Sequence, residues 1–207
     1  MAMRRSPAWA LPEPRECATV AAEDAVLGLI GRIRAMMVTP QAEWPAVAHE
    51  SSDGPAISYT AVLALIPALA RLIGGWLIGG YTPFLSALIG AVVAYALSFA
   101  VVFALALAVD LLAPKFDGKR QYSSALRLTA YSFTPVWLAG IFLLVPGASF
   151  LVLLGLYGAY LMWTGLPVLM RAPSHKALPY VLVVTGCAIV LDVAVRLVLI
   201  AAIGAMR

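Results

Sequence analysis

The stretch LPYVLVVTGCAIVLDVAVRLVLIAAI, residues 178–203, decides the fold class of this chain, because it is long enough and apolar enough to cross a bilayer. It contains one acidic and one basic side chain, Asp192 and Arg196, which stand one helical turn apart. Placing an ionisable group inside the membrane costs free energy, and such groups usually have a function. This pair therefore marks the first candidate functional site.

The composition of the whole chain also indicates a membrane protein. Hydrophobic residues make up 63% of its 207 residues and charged residues only 12%, which is far from the balance of a soluble domain. A helical span takes roughly 20 residues, so there is room for about five spans and a small polar segment. We predict an all-α membrane protein, a five-transmembrane-helix bundle preceded by a cytoplasmic amphipathic helix. The predicted spans cover about residues 57–80, 84–109, 125–145, 148–170 and 178–203.

The chain before the first span divides into two parts. Residues 1–25 are proline-rich and mixed in charge, which predicts a disordered tail and not a cleaved signal peptide. Residues 26–56 form a predicted cytoplasmic amphipathic or interfacial segment, ahead of the membrane domain at residues 57–207. Trp44 in this segment is expected at the level of the lipid headgroups. Apolar residues at helical spacing predict a first helix that lies on the membrane surface: Val26, Leu29, Ile30, Ile33, Met36 and Met37.

The basic residues predict the orientation of the chain in the membrane. With a cytoplasmic N-terminus, the Lys and Arg residues of the tail and of the connections all lie on the cytoplasmic side, except Arg207. The connections at residues 80–83 and 146–147 are short and contain no Lys or Arg, as is typical of translocated turns. We therefore predict a multi-pass protein with its N-terminus cytoplasmic and its C-terminus outside.

Arg71, in the first predicted span, is a third ionisable residue at a depth similar to that of Asp192. Each lies about 14 residues from the cytoplasmic start of its own predicted span. Asp192 is therefore expected to act as a hub between Arg71 and Arg196, in an intramembrane polar cluster. Three interpretations of this cluster stay open: a buried structural network, a proton or ion relay or anion site, and arginines that extend towards the outer face.

Small residues recur in steps of four along the second predicted span. Such a stripe predicts a helix-packing face, either within the bundle or between copies of the chain. Its members are Ser86, Gly90, Ala94 and Ser98. The third predicted span has Arg127 near its start and Pro135 in its middle, so we expect that span to be kinked or partly unwound.

Motifs that would indicate an enzyme are missing from the sequence. The chain has no HExxH, GxSxG or GxxxxGK[ST] pattern, and His49 and His175 lack a neighbouring set of metal ligands. Cys17 and Cys187 form no CxxC pattern and are predicted to be free thiols. We predict a non-enzymatic protein with no catalytic, cofactor-binding or metal-binding residues, no cofactor, and no nucleic acid as a partner.

Three stretches of the sequence resemble the bacterial branch of the Yip1-domain family. They are VTPQAEWPAVAHE at residues 38–50, LTAYSFTPVWLAGIF at 128–142 and YLMWTGLPVLMRAPSHKALPY at 160–180. The resemblance extends over roughly residues 26–205 and implies five membrane-spanning helices after a cytosolic N-terminal segment, in the plasma (inner) membrane of a bacterium. The motif residues that carry it are Pro40, Trp44, Glu50, Tyr131, Pro135, Gly165 and Pro167.

The resemblance also implies the first of two functional hypotheses. Eukaryotic relatives take part in vesicle trafficking and contact prenylated Rab-type GTPases, although the short, proline-rich N-terminal segment here argues against a GTPase adaptor. By resemblance, the protein organises membrane lipids or partner proteins in a trafficking-like role, with membrane lipids, membrane proteins or further copies of itself as partners. The alternative is a small transporter or channel that uses Arg71, Asp192 and Arg196, although five spans do not divide into the inverted repeat of many transporters.

Overall fold

A computed structural model of the protein describes residues 27–78, 80, 83–145 and 149–204. Every regular element in these ranges is helical, so the described part of the chain is an all-α membrane bundle, as predicted. The predicted disordered tail, residues 1–25, lies outside the described residues. Leu153–Leu169 is an apolar helix of less than spanning length. Four helical segments are long and apolar enough to cross a membrane: Gly54–Ile78, Phe84–Phe116, Tyr122–Leu144 and Ser174–Ala201.

Two short helices precede the first long segment. Helix α1 covers residues 27–38, and α2 covers Pro40–Ala48, beginning at a proline whose fixed φ suits the first helical turn. Helix α1 buries Met36 completely and packs Leu29 and Ile33 against the core of the bundle. The apolar stripe that predicted binding to the membrane surface therefore contacts protein along part of its length.

The first long segment consists of two α-helices and a wider turn. Helix α3 covers Gly54–Leu63, α4 covers Leu65–Ile73, and a π-helix follows over Gly74–Ile78. The chain returns through α5, Phe84–Leu112, and a 3-10 turn at Ala113–Phe116. The 29 residues of α5 extend about 44 Å at about 1.5 Å per residue, which exceeds the roughly 30 Å of bilayer hydrocarbon. Helix α5 therefore tilts or extends beyond the hydrocarbon.

The third segment is broken near its middle, as its proline led us to expect. Helix α6 covers Tyr122–Ser132, α7 covers Thr134–Ala139, and a 3-10 helix continues over Gly140–Leu144. The break falls at Phe133, and Pro135 occupies the first turn of α7, where its missing N–H disturbs no helical hydrogen bond. Every residue of α6 after its first two is buried, so this helix has protein on all sides.

The last two segments complete the bundle. A 3-10 helix over Ser149–Leu156 leads into α8, Tyr157–Leu169, and α9 covers Ser174–Gly204. The fourth predicted span, about residues 148–170, thus combines tight 3-10 turns, which rise about 2.0 Å per residue, with a short α-helix and is not one regular helix. Helix α9 begins before the predicted start of its span at residue 178 and has 31 residues, about 46 Å.

The two ends of the bundle differ chemically. At one end the loops before α6 and before α9 lie together, since the amide of Lys119 donates to the carbonyl of Met170 at 2.8 Å and Lys176 pairs with Asp117. The same end carries three further basic residues, so we call it the basic end: Lys115, Arg120 and Arg171. We call the opposite end the far end. Helix α5 begins there, and the third segment and α9 end there.

The buried core lies around α6, in the half of the bundle towards the basic end. Its fully buried side chains come from α2, α3, the second half of α5, and the parts of α8 and α9 nearest the basic end. The largest of them include Trp44, Leu63, Leu105, Leu128, Leu161 and Tyr180. Large side chains nearer the far end, such as Trp76 and Leu197, are exposed. The largest buried side chains are therefore concentrated in one half of the molecule.

Candidate functional site

A cavity of about 580 Å³ lies between α4, α5, the end of α6, α7, α8 and α9, from the centre of the bundle towards the far end. It opens to the outside of the bundle, and its volume is in the range of about 300–1,000 Å³ typical of small-molecule sites. Most of the lining is apolar. Apart from the indole of Trp137, the polar and charged lining side chains are Arg71, Ser98, Ser132, Thr185, Asp192 and Arg196.

All three residues of the predicted intramembrane polar cluster line this cavity. Arg196 donates from Nε to Oδ2 of Asp192 at 2.6 Å, one turn away on α9. Both side chains are more than half exposed in the isolated protein, at 59% for Arg196 and 57% for Asp192. Arg71 reaches the same cavity from α4 and is also exposed. The charged groups thus stand at the open part of the cavity, where surrounding lipid or water meets them, and not in a dry core.

Ser132, at the end of α6, lines the cavity from inside. Its side chain is buried, and its Oγ has no hydrogen-bond partner among the described residues. The break in the third segment at Phe133 places this residue on the wall. Sequence reasoning missed Ser132, because a single serine in an apolar run carries no distinctive signal.

The predicted helix-packing face of α5 is divided between two surroundings. Gly90 is buried and Ser86 is partly buried. Ala94 and Ser98 line the cavity, and the hydroxyl of Ser98 donates to the carbonyl of Ala94 at 2.9 Å. At these two positions small side chains leave room for the cavity.

A cluster of polar groups is buried on the other side of the bundle, where α6 meets α1 and the α2–α3 connection. The hydroxyl of Tyr131 donates to Oε1 of Glu50 at 2.9 Å, and Nη2 of Arg32 pairs with the same oxygen at 3.0 Å. The Arg32 guanidinium also lies over the Tyr131 ring, 5.3 Å from its centre. Two motif residues, Glu50 and Tyr131, are therefore direct partners.

Arg127, on α6, forms hydrogen bonds to several groups of the same cluster. Its Nε donates to Oδ1 of Asp53 at 2.9 Å, its Nη1 to the carbonyl of Glu50 at 2.7 Å, and its Nη2 to Oγ of Ser123 at 3.0 Å. Only 9% of the Arg127 side chain is exposed. The sequence showed Arg127 only as a basic residue near the start of a span. The tertiary structure was needed to show which groups it pairs with.

Trp44 occupies a pocket between α2, α6 and α8. Its ring is fully buried, and its Nε1 donates to Oγ1 of Thr164 at 3.0 Å. A Cβ added to Gly165 would lie 2.7 Å from Cε2 of Trp44 and 2.5 Å from Cδ1 of Leu128, so the ring packs directly on the glycine backbone. The Trp44 ring is therefore enclosed by protein, and its position at the level of the lipid headgroups stays a prediction.

The remaining motif residues shape the backbone. Pro40 is buried at the start of α2, Pro135 is buried in the first turn of α7, and Pro167 lies inside α8. Beside Pro135, Thr134 donates to the carbonyl of Tyr131 at 2.6 Å, and its Oγ1 lies 2.8 Å from the Tyr59 hydroxyl. None of the seven motif residues lines the cavity, although Pro135 stands between two residues that do, Phe133 and Val136.

A model of the Yip1 domain matches residues 34–195 of the 207-residue chain. The chain belongs to the Yip1 domain family. The matched residues include all the motif residues and Asp192, whereas Arg32 and Arg196 lie just outside the match. No curated protein and no solved structure matches the chain. Together with the apolar helices, the Yip1 domain identifies a multi-pass integral membrane protein.

Proposed function

We propose that this Yip1-family protein is a non-enzymatic membrane protein that organises membrane lipids by holding lipid chains in its cavity. The observation that carries the proposal is the cavity itself, which has a mostly apolar lining and opens to the surroundings of the bundle. In a bilayer those surroundings are lipid chains, which are as apolar as the leucine and valine side chains of the lining. A chain can therefore enter without losing favourable contacts.

The length of the cavity supports an acyl chain as its occupant. On α9 its lining residues extend from Val184 to Leu199, which is about 22 Å of helix at about 1.5 Å per residue. One leaflet of a bilayer contributes about 15 Å, half of the roughly 30 Å of hydrocarbon. The cavity is therefore long enough for a chain that extends through a whole leaflet.

The proposal includes an orientation in the membrane. Basic residues mark the cytoplasmic side of a membrane protein, and the basic end carries five of them. They are Lys115, Lys119, Arg120, Arg171 and Lys176. We propose that the basic end and the N-terminus are cytoplasmic, that the C-terminus is outside, and that the membrane is the inner membrane of a bacterium. In this orientation the cavity opens towards the outer leaflet.

Filling the cavity tests the proposal. Ala94 lines the cavity, whereas Ala96, two residues further along α5, is exposed on the outside of the bundle. We expect Ala94→Phe to reduce the number of lipid molecules that stay bound during purification in detergent, and the matched control Ala96→Phe to leave it unchanged. Native mass spectrometry counts the bound lipids. Equal retention by the two variants, with unchanged melting temperatures, would contradict the proposal.

A small transporter or channel is the second candidate, because three ionisable side chains line one cavity. In this case Asp192 would exchange its partner during transport. The distinguishing measurement is the flux of protons, K⁺ and Cl⁻ into proteoliposomes that contain the protein or Asp192→Asn. A flux that requires the protein and is lost in the variant would favour transport over lipid binding.

A further inference from the structure

We propose that α1 lies in the interface between lipid and water, where its outer face contacts the bilayer directly. The outer face is the side of α1 that is exposed in the isolated protein, and its large side chains are Leu27, Ile30, Arg34 and Val38. The partner of this surface is the headgroup region of the membrane together with the hydrocarbon just below it. The inference concerns a surface on the other side of the molecule from the cavity, and it does not depend on what the cavity holds.

The two sides of α1 have different surroundings. Leu27, Ile30, Arg34 and Val38 follow one another at intervals of three or four residues, so they share one side of the helix. Met36, on the opposite side, is completely buried in the bundle. The three apolar side chains of the outer face are each more than half exposed. Lipid contact is therefore assigned to the side that faces away from the core, whereas most of the stripe predicted from the sequence packs against the core.

The exposed side chains of α8 and of the 3-10 helix before it indicate where the hydrocarbon ends. In chain order, the large ones are three leucines at the end of the 3-10 helix, then Tyr160, Trp163 and Val168 of α8, and finally Arg171 in the loop that follows. Leucine is typical of the hydrocarbon, Tyr and Trp are typical of the lipid–water interface, and basic residues are typical of the cytoplasmic surface. The interface therefore lies along the first two turns of α8.

Two contacts hold the end of α1 and the start of α2 at the same level. The hydroxyl of Tyr157, the first residue of α8, donates to the carbonyl of Met37 at 3.1 Å. Met37 precedes Val38, the last residue of the outer face. Gln41, in the first turn of α2, lines a small pocket together with Trp163. The end of α1 therefore lies beside the aromatic side chains of the interface, and the lipid that surrounds them also meets the outer face.

The side chains of the outer face suit an interface better than they suit water or hydrocarbon alone. In water, three large apolar side chains would remain solvated, and in hydrocarbon the guanidinium of Arg34 would lie among acyl chains. At the interface, the apolar side chains enter the hydrocarbon while the long stem of Arg34 brings its charged end to the headgroup phosphates. Arg32, the other basic residue of α1, pairs instead with Glu50 inside the protein.

Fluorescence quenching in proteoliposomes tests the proposal. Ile30→Cys and Val38→Cys are made separately in the full chain, with Cys17 and Cys187 replaced by serine, and each is labelled with the environment-sensitive fluorophore NBD. The vesicles contain phosphatidylcholine that carries a nitroxide either close to its headgroup or close to the end of an acyl chain. We expect both labels to lose more fluorescence to the shallow nitroxide than to the deep one. Because both positions are exposed, neither substitution removes a buried contact.

Two labels at other positions are the matched controls. Val190→Cys, at an exposed position near the middle of α9, should lose more fluorescence to the deep nitroxide. Lys119→Cys, at an exposed position in a loop of the basic end, should lose fluorescence to neither nitroxide. The emission of the two α1 labels should be shifted to shorter wavelength than that of the Lys119→Cys label, because their surroundings are less polar.

Two results would overturn the proposal. Labels on α1 that behave like the one at Lys119 would show that the outer face lies in water or is covered by protein, and cross-linking of two copies through Ile30→Cys would then identify a second copy as the cover. Labels that are quenched more strongly by the deep nitroxide would show that α1 lies inside the hydrocarbon. Neither result concerns the lipids counted for Ala94→Phe, so the proposed function is tested separately.

Discussion

Replacing Arg127 with methionine tests whether the buried polar cluster holds the N-terminal helices against α6. The Arg127 side chain is 9% exposed and donates hydrogen bonds to Asp53, to the carbonyl of Glu50 and to Ser123. Methionine keeps a long apolar stem in the same space but removes all three donors. The variant therefore leaves Asp53 without its cation and the Glu50 carbonyl without this donor.

The expected magnitude follows from the burial of the two partners. Removing one partner of a buried ion pair costs roughly 3–5 kcal/mol. Because the Asp53 side chain is 31% exposed, water solvates it in part when Arg127 is gone, so we expect the lower limit, about 3 kcal/mol. In a chain of this size such a loss lowers the melting temperature by roughly 6–12 °C. Arg127→Lys keeps the charge without the planar fork and should give an intermediate loss.

Thermal unfolding of the detergent-purified protein, followed by circular dichroism, measures these differences. Lys119→Met is the matched control, because it removes an exposed cation near the same end, and it should change the free energy of unfolding by no more than about 0.5 kcal/mol. A loss below about 1 kcal/mol for Arg127→Met, or one equal to the control, would refute the claim that this cluster stabilises the N-terminal packing.

Two further pairs of variants probe the packing. Gly165→Ala places a methyl group 2.7 Å from Cε2 of Trp44, whereas Gly186→Ala meets nothing within 4 Å. Since the helix-propensity gain is common to both, thermal unfolding should show Gly165→Ala less stable by about 1–3 kcal/mol, and equal stability would contradict the tight contact. Ser132→Ala removes a hydroxyl with no partner in the described part of the chain and should cost nothing, whereas Thr134→Ala removes a hydroxyl with two partners and should cost about 1–3 kcal/mol. A larger loss for Ser132→Ala would show that its hydroxyl is satisfied after all.

Local sequence was sufficient to predict the class of fold. Apolar runs such as 84–109 and 178–203 indicate membrane helices because lipid demands both an apolar surface and internally satisfied backbone groups. The break beside Pro135 was also predictable, since proline cannot continue an α-helix without losing a hydrogen bond. The 3-10 turns of Ser149–Leu156 were not, because hydropathy does not distinguish one kind of helix from another.

The candidate site could be predicted only in part. Counting residues from the starts of their spans placed Arg71 and Asp192 at similar depth, and both line one cavity in the structure. The cavity could not be predicted from the sequence, because its wall is formed by parts of six α-helices and two 3-10 helices that are far apart along the chain. The contacts of Trp44 were not predictable either: an aromatic residue ahead of a span is typical of a lipid interface, and its sequence does not reveal that a glycine and a threonine on α8 provide a protein pocket for it.

The sequence by itself determined that this chain is a helical membrane protein, which segments are apolar, and which family it resembles, because these properties depend on short stretches of residues. The tertiary structure decided which polar residues become buried and with which partners. Arg127 meets Asp53 across 74 residues, Tyr131 meets Glu50 across 81, and Trp44 meets Thr164 across 120. Burial and pairing at such separations arise only when the helices pack, so no local pattern in the sequence records them.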